Sequence, residues 1–379
     1  MLNDSRSGLK ACFFVLSLLP AFAQAQISPT IDAIFSGISD DSPGCSVGAA
    51  KDGAWIHKTG YGLANMELNV PLDGSQVHRM ASVSKQFTAM AVLLLADEGK
   101  IDLNADIREY LPELRSYGAT VTINAMLGHV SGMGDYDLIA GSYEGPKATN
   151  AGNLMSAAGG EFRLGNKDYL TIDEFYEVVA PLPLAQSPNE SFRYSNLAYF
   201  LLSILVEEVS GESLREYAER RIFHPLGMDS SFFSDDPVEI VHNRADGYAK
   251  TKDGEYITDM TNLFWVGDGG LHTNLDDMLL WDAHFYAPKL GRKPAQLLAL
   301  MNTPNSNHLT DGRVYANGQN IRRSGDDVIF EHSGGWLGTS TYYARVPDRH
   351  LSLIMMCNDV SLDTDDLAEQ AMKQLLNTK

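Results

Sequence analysis

The sequence has few cysteines, no long apolar run beyond its first residues, and no cluster of basic residues. Three cysteines in 379 residues are too few for a disulfide scaffold. No C-x-x-C or H-x-x-x-H spacing occurs, so neither a structural metal nor a cofactor is expected. No later segment is apolar over the roughly 18 residues that a membrane-spanning helix needs. These shortages exclude a disulfide-rich miniprotein, a zinc-binding domain and a helical membrane protein.

Positive charge is also scarce. The chain has 29 lysines and arginines against 49 aspartates and glutamates, a net charge of −20. A negative field of this size repels nucleic acid and anionic membrane surfaces. We therefore expect no nucleic acid as a partner. Nothing in the sequence indicates the oligomeric state.

The first 25 residues have the pattern of a secretory leader. Arg6 and Lys10 precede the apolar stretch Ala11–Pro20, and Ala23-Gln24-Ala25 is a small-residue cleavage site. The leader carries two basic and one acidic residue, so cleavage leaves residues 26–379 with a net charge of −21. We predict a periplasmic or secreted protein. The alternative is an uncleaved segment that anchors the chain to a membrane or stays unfolded.

Strand patterns lie at both ends of the remaining chain, with helical patterns between them. An N-terminal hairpin is predicted over Cys45–Lys51 and Ala54–Gly62, joined by Asp52-Gly53. The C-terminal strands are predicted over Val328–Ser333, Thr339–Val346 and Leu351–Cys357, followed by a helix at about 365–377. We expect one antiparallel sheet built from both chain ends and covered by helices, with a helical region inserted at about 101–244. Residues 141–165 are rich in Gly, Ala, Ser and Asn and predict a long loop.

The segment Ser82–Glu98 predicts a helix that is apolar nearly all round and therefore buried. Ser82 and Lys85 are three residues apart at its start, so they share one helical face. A serine hydroxyl needs a neighbouring base to become a nucleophile, and burial near the positive end of a helix lowers the pKa of a lysine. The alternative is an N-cap serine beside a surface lysine, because the spacing by itself is common.

A second motif, Tyr194-Ser195-Asn196, opens the apolar run Leu197–Val209. A tyrosine can relay protons if nearby ammonium charge lowers its pKa, and an asparagine amide can contact a substrate amide or a lysine. The same Y-x-N spacing recurs at Tyr315, which we interpret as part of a surface turn.

A third motif, His332-Ser333-Gly334-Gly335, lies at the end of the predicted strand that begins at Val328. Small residues there let a substrate backbone lie along the strand, and the amides of Gly335 and Ser82 suit an oxyanion hole. The alternative for His332 is a structural hydrogen-bonding residue.

Serine with lysine, then Y-x-N, then H-S-G, in this order, resemble the penicillin-recognising serine hydrolases. That superfamily comprises class C β-lactamases, D,D-peptidases, D-aminopeptidases and related esterases. The resemblance covers about Ser42 to Asn377 and is carried further by five other stretches: Pro43-Gly44, Leu127–Tyr136, Pro225–Met228, Gly269–Thr273 and Gly334–Trp336.

The resemblance implies an α+β fold of the β-lactamase/transpeptidase type, a three-layer α/β/α sandwich. Residues 26–379 would form a single catalytic domain, with the α/β part at about 26–100 and 245–379. It implies an acyl-enzyme on Ser82, with Lys85 as its partner, Tyr194 as proton shuttle and His332 completing the catalytic set. Asn196, Ser333, Gly334 and Gly335 would contact the substrate. Candidates for the pocket wall are Tyr136, Trp265, Asp268 and Trp336.

One departure from the family pattern concerns the third motif, where β-lactamases usually have a lysine in place of His332. A histidine is mostly neutral at pH 7 and does not hold a substrate carboxylate as an ammonium does. We therefore predict hydrolysis of a small ester, an amide or a D-amino-acid peptide. A class C-like β-lactamase is the first alternative.

Two further hypotheses stay open. Gly44–Gly48 matches the G-x-S-x-G nucleophile elbow, but Ser46 is flanked by strand-like residues where the elbow needs a following helix. A non-hydrolytic sensor of penicillin or cell-wall fragments is the alternative from another class, although every motif residue is chemically intact.

The resemblance also makes the first and last strands antiparallel neighbours, which brings Cys45 near Cys357. An oxidising compartment would then permit a disulfide. Two buried thiols are our expectation.

Overall fold

The computed structural model describes residues 29–136, 169–261, 264 and 266–377. The predicted leader, the whole of the predicted loop at 141–165, and Trp265 lie outside the described residues. No helix within the described ranges is long and apolar enough to cross a membrane.

The centre of the molecule is a seven-stranded antiparallel sheet with the strand order β10-β11-β12-β13-β14-β1-β2. The first strand in sequence pairs with the last, so the sheet is built from both ends of the chain, as predicted. The sheet strands are β1 (Cys45–Lys51), β2 (Ala54–Tyr61), β10 (Val314–Ala316), β11 (Gln319–Ser324), β12 (Asp327–Trp336), β13 (Thr339–Val346) and β14 (Leu351–Cys357).

Small sheets surround the large one. The short strands are β3 (Leu63–Asn65), β4 (Val70–Pro71), β5 (His78–Arg79), β6 (Phe232–Phe233), β7 (Tyr248–Lys250), β8 (Tyr256–Thr258) and β9 (Leu271–Thr273). Strand β9 lies between β5 and β6 and carries the chain past the start of the buried helix.

The predicted N-terminal hairpin forms because its turn residues accept positive φ. Asp52 and Gly53 have φ of 53° and 76°, and this pair of left-handed residues matches the twist of the strands that it joins. The hairpin prediction is confirmed.

Alternate side chains of β14 pack into different clusters on the two faces of the sheet. Ile354 and Met356 join the cluster around the buried helix, whereas Leu353 and Met355 join the cluster formed with the terminal helices. This period of two is what a strand covered on both faces requires.

The helices fill the middle of the chain and both ends. A helical segment at residues 29–35 and the last helix cover the side that holds Leu353. The other helices are α1 (Lys85–Asp97), α2 (Ile123–Leu127), α3 (Ile172–Val179), α4 (Asn196–Ser210), α5 (Leu214–Ala218), α6 (His224–Leu226), α7 (Leu275–His284) and α8 (Pro294–Met301), and the last is α9 (Thr364–Asn377). The α+β class is confirmed, while the boundaries predicted for a helical subdomain at 101–244 stay a prediction.

The buried helix begins differently from the prediction. A 3₁₀ turn, Ala81–Ser84, precedes α1, so Ser82 lies in that turn and Lys85 opens the α-helix. Ala81 has a φ of +44°, which is uncommon for a residue with a Cβ and is found mainly where surrounding structure enforces it. The chain therefore turns sharply just before Ser82.

Cys45 and Cys357 form a disulfide, so the expectation of two buried thiols is wrong. The two residues are directly opposed in the antiparallel pair of β1 and β14, although 312 residues separate them. The register of that pair, rather than any local pattern, brings the two sulfurs together.

Candidate functional site

A cavity of about 180 Å³ opens beside Ser82, between the 3₁₀ turn before α1, the end of β12 and the start of α4. Tyr136, Asp268 and Trp336 lie in its wall, as predicted for three of the four wall candidates. The lining residues are Arg79, Ala81, Ser82, Tyr136, Tyr194, Asn196, Asp268, Gly269, Gly335 and Trp336.

Lys85 is fully buried and donates three hydrogen bonds from its Nζ atom. The acceptors are Ser82 Oγ at 3.1 Å, Asn196 Oδ1 at 2.7 Å and the backbone carbonyl of Asp268 at 2.7 Å. Burial lowers the pKa of Lys85 to about 8, and the negative charges of Asp268 and Asp135 oppose this shift. The predicted depression of this pKa is confirmed, and a substantial neutral fraction exists near neutral to mildly alkaline pH.

Asn196 is held by a residue to which the sequence assigned no role. Its backbone N–H donates to Asp135 Oδ1 at 3.1 Å, and its side-chain Nδ2 donates to Asp135 Oδ2 at 3.0 Å. This pair of bonds orients the Asn196 carbonyl oxygen toward Lys85. Asp135 lies in the stretch Leu127–Tyr136 that carried part of the resemblance, which is the one signal that pointed to it.

Tyr194 lies beside Ser82 and Lys85, and its pKa is raised. Burial is the main cause, and a hydrogen bond with the Ser82 hydroxyl opposes it. Lys85 Nζ is 4.9 Å from the centre of the Tyr194 ring. The lowering of this pKa by ammonium charge, on which the relay role was made conditional, does not occur, because the cost of burying a phenolate is larger. Tyr194 therefore remains a neutral phenol.

His332 is buried, and both ring nitrogens are occupied. Nδ1 is 2.5 Å from the Ser333 carbonyl, so it carries the proton, and Nε2 accepts from the Tyr315 hydroxyl at 2.9 Å. Burial lowers the pKa of His332 to about 3, with a further contribution from Lys85. His332 is thus a neutral ring 6.2 Å from the Tyr194 ring, and among the described residues it is not one that lines the Ser82 cavity.

Tyr315 is not part of a surface turn, contrary to the prediction. Its side chain is 1% exposed and holds His332. The short strand β10 places it there by pairing with β11, and three residues of sequence pattern cannot reveal that pairing.

The three residues after His332 have different positions. Ser333 lies on the other side of the sheet and lines a separate polar cavity with Glu331 and Tyr342, so the substrate contact predicted for it gains no support. A Cβ on Gly334 would lie 2.5 Å from the Met80 carbonyl oxygen and 3.0 Å from the Ser82 nitrogen. Gly334 therefore permits β12 to approach the Ser82 turn, whereas Gly335 lines the Ser82 cavity.

Arg79 and Asp268 place opposite charges in the cavity wall. Arg79 Nε donates to the Gly269 carbonyl, and the Asp268 carboxylate accepts from the Tyr136 hydroxyl at 2.5 Å. Burial raises the pKa of Asp268, and Lys85 and Arg79 oppose that shift. Arg79 was not predicted, because an isolated arginine in a short strand has no recognisable pattern.

Ser46 lies inside β1 and is fully buried, with its Oγ atom 3.0 Å from His78 Nε2. Strand residues continue on both sides of it, so it does not occupy the strand-to-helix turn of a nucleophile elbow. Ser46 is separated from the cavity that Ser82 lines.

The family model described as Beta-lactamase matches residues 31–377. A D-aminopeptidase of Gluconobacter oxydans is 26% identical over 322 residues, which cover 84% of this chain and 56% of the relative. Penicillin-binding protein 4* of Bacillus subtilis is 26% identical over 342 residues, which cover 86% of this chain and 69% of that protein.

Among solved structures, the octameric penicillin-binding protein homologue from Pyrococcus abyssi superimposes with a TM-score of 0.77. It is 23% identical, and the match covers 94% of this chain and 78% of that chain. At this identity the likeness establishes the fold. The chain spans little more than half of the D-aminopeptidase, so what that whole protein does is not carried over directly.

Proposed function

This chain belongs to the β-lactamase family of serine hydrolases, and we propose that it cleaves a small ester, amide or D-amino-acid peptide bond through an acyl-enzyme on Ser82. The contact that supports this most directly is the one between Lys85 Nζ and Ser82 Oγ at 3.1 Å. A buried amine with its pKa lowered to about 8 is available as a base, which the serine hydroxyl needs.

The proposed reaction begins with attack of Ser82 Oγ on the substrate carbonyl carbon. The serine proton moves to the neutral amine of Lys85, and the amides of Ser82 and Gly335 hold the resulting oxyanion. Tyr194 donates its phenol proton to the leaving group as the scissile bond breaks, and the Lys85 ammonium restores that proton. Water then attacks the acyl-enzyme by the reverse sequence, releasing the acid and free Ser82.

The neutral state of His332 favours this substrate class over a β-lactam. Its pKa near 3 leaves no ammonium-like charge at the end of β12 for a substrate carboxylate. Arg79 is a cation in the cavity wall, but the negative charge of the neighbouring Asp268 offsets its positive charge. The D-aminopeptidase and penicillin-binding relatives are consistent with an acyl group of D-amino-acid type.

The experiment compares wild type with Ser82→Ala and a matched control, Ser46→Ala. Each protein is incubated with a penicillin, an acyl p-nitrophenyl ester and a D-aminoacyl p-nitroanilide. Intact mass and absorbance are followed together. We expect ester or anilide turnover that Ser82→Ala abolishes and Ser46→Ala retains.

Other outcomes discriminate the alternatives. Rapid loss of penicillin without a lasting adduct would mean a class C-like β-lactamase. Binding of penicillin without turnover of any substrate would support the sensor. Turnover retained in Ser82→Ala but lost in a folded Ser46→Ala would refute the assignment of Ser82.

We also propose that the protein acts in the periplasm or outside the cell. The leader pattern of residues 1–25 and the Cys45–Cys357 disulfide both suit an oxidising compartment. N-terminal sequencing of the exported protein should begin at Gln26. An intact Met1 on protein recovered from the cytoplasm would contradict this.

A further inference from the structure

His129, which has no part in the reaction proposed above, packs around the catalytic tyrosine. It follows α2 and has a φ of +55°, in the left-handed region that histidine adopts more readily than most residues. Its side chain is fully buried. A buried residue in this conformation is retained where the surrounding contacts depend on it.

The contacts of His129 lie on both sides of Tyr194 in the chain. Its carbonyl oxygen accepts from the Arg193 N–H at 2.8 Å, and its Nδ1 accepts from the Ser195 N–H at 3.1 Å. The residues immediately before and after Tyr194 are therefore both fixed to one residue. Because Nδ1 accepts, the ring proton is on Nε2.

The imidazole also packs directly on the phenol ring. The two ring centres are 4.2 Å apart, and the Tyr315 ring is 4.5 Å from the imidazole on the His332 side of the site. Tyr194 is thus held through its backbone and through its ring. We propose that His129 is a positioning residue, which holds the Tyr194 hydroxyl where it donates a proton to the leaving group. This inference rests on the proposed function.

The electrostatic surroundings require this ring to stay neutral. Burial lowers the pKa of His129 well below its usual value, and Lys85 and His332 lower it further. Its Nε2 has no hydrogen-bond partner among the described residues. The bond from Ser195 needs only one acceptor atom, which an asparagine side chain also provides, so the presence of an aromatic ring points to the packing on Tyr194.

The test uses His129→Asn, which keeps an acceptor for Ser195 and tolerates a positive φ but removes the ring. The substrates are a p-nitroanilide and a p-nitrophenyl ester with the same acyl group. An anilide leaving group needs the proton from Tyr194, whereas p-nitrophenolate leaves without one. We expect kcat on the anilide to fall about 10- to 100-fold, with KM nearly unchanged and a much smaller loss on the ester.

Two further variants separate positioning from general loss of structure. Phe192→Leu removes another ring that contacts His129, without changing the contacts between His129 and Tyr194, and should leave both activities near wild type. In a Tyr194→Phe background, His129→Asn should cause little additional loss, because the two residues act as one unit. If His129→Asn does not fold, His129→Phe tests the same point, since it keeps the ring and should retain more anilide activity than Tyr194→Phe.

The inference is overturned if folded His129→Asn has the wild-type ratio of anilide to ester turnover. It is also overturned if the loss is equally large in the Tyr194→Phe background. A shift of the pH profile in His129→Asn would instead assign a titrating role to this residue. If Ser82→Ala retains turnover, the proposed function itself fails, and that result is distinguishable from the other three.

Discussion

The two sides of the Ser82 turn hold their polar groups in opposite ways. On the Lys85 side, a titratable amine is surrounded by oxygen acceptors and by the carboxylates of Asp135 and Asp268. On the His332 side, neutral rings pack together, and burial keeps His332 uncharged. The charged and proton-transferring groups are therefore concentrated on the Lys85 side, whereas the His332 side consists of packed neutral side chains. The difference explains how a histidine can occupy the place of a lysine without creating a second base.

Lys85→Met gives the largest effect expected from this contrast. Removal of a general base typically costs about 10²- to 10⁴-fold in rate, and we expect kcat/KM to fall within that range. In wild type, kcat/KM should rise with pH through a midpoint near 8, because the amine must lose its proton to act as base. A pH series of initial rates measures both. An equally steep rise near pH 8 in Lys85→Met would assign the titration to another group.

Gly334→Ala tests the shape of the neutral side. The added methyl group would meet the Met80 carbonyl at 2.5 Å and displace the Ser82 turn, so we expect kcat to fall about 10- to 100-fold. The same series of initial rates measures this loss. The pH midpoint should not move, since no charge changes.

Gly335→Ala is the matched control for stability. No atom of the described residues lies within 4 Å of a Cβ at that position, so its free energy of unfolding should change by less than about 0.5 kcal/mol. Gly334→Ala should lose about 1–3 kcal/mol by overpacking. Urea unfolding of both variants measures these changes in the free energy of unfolding. Equal stability of the two variants would mean that β12 can shift away from Ser82.

Asp268→Asn gives the smallest effect. The Asp268 charge raises the pKa of Lys85 against the effect of burial, so its removal lowers that pKa. The rise of kcat/KM should then move to lower pH, while the hydrogen bond from Tyr136 is retained by the amide oxygen. A pH series of initial rates on this variant detects the shift. A move to higher pH would mean that Asp268 does not stabilise the Lys85 ammonium.

Elements with strong local patterns could be predicted from the amino-acid sequence alone. The Asp52-Gly53 turn, the position of β14 and the apolar surface of α1 follow from periodicity and turn chemistry, and they were predicted correctly. The order of the three motifs also identified the family before any geometry was known.

How residues far apart in the chain affect one another depends on tertiary packing. Strand register opposed Cys45 to Cys357, and burial raised the pKa of Tyr194 although Lys85 Nζ lies 4.9 Å from the centre of its ring. The pairing of β10 with β11 brought Tyr315 to His332. Desolvation and register depend on every element packed around a group, and neither has a local signature in the sequence.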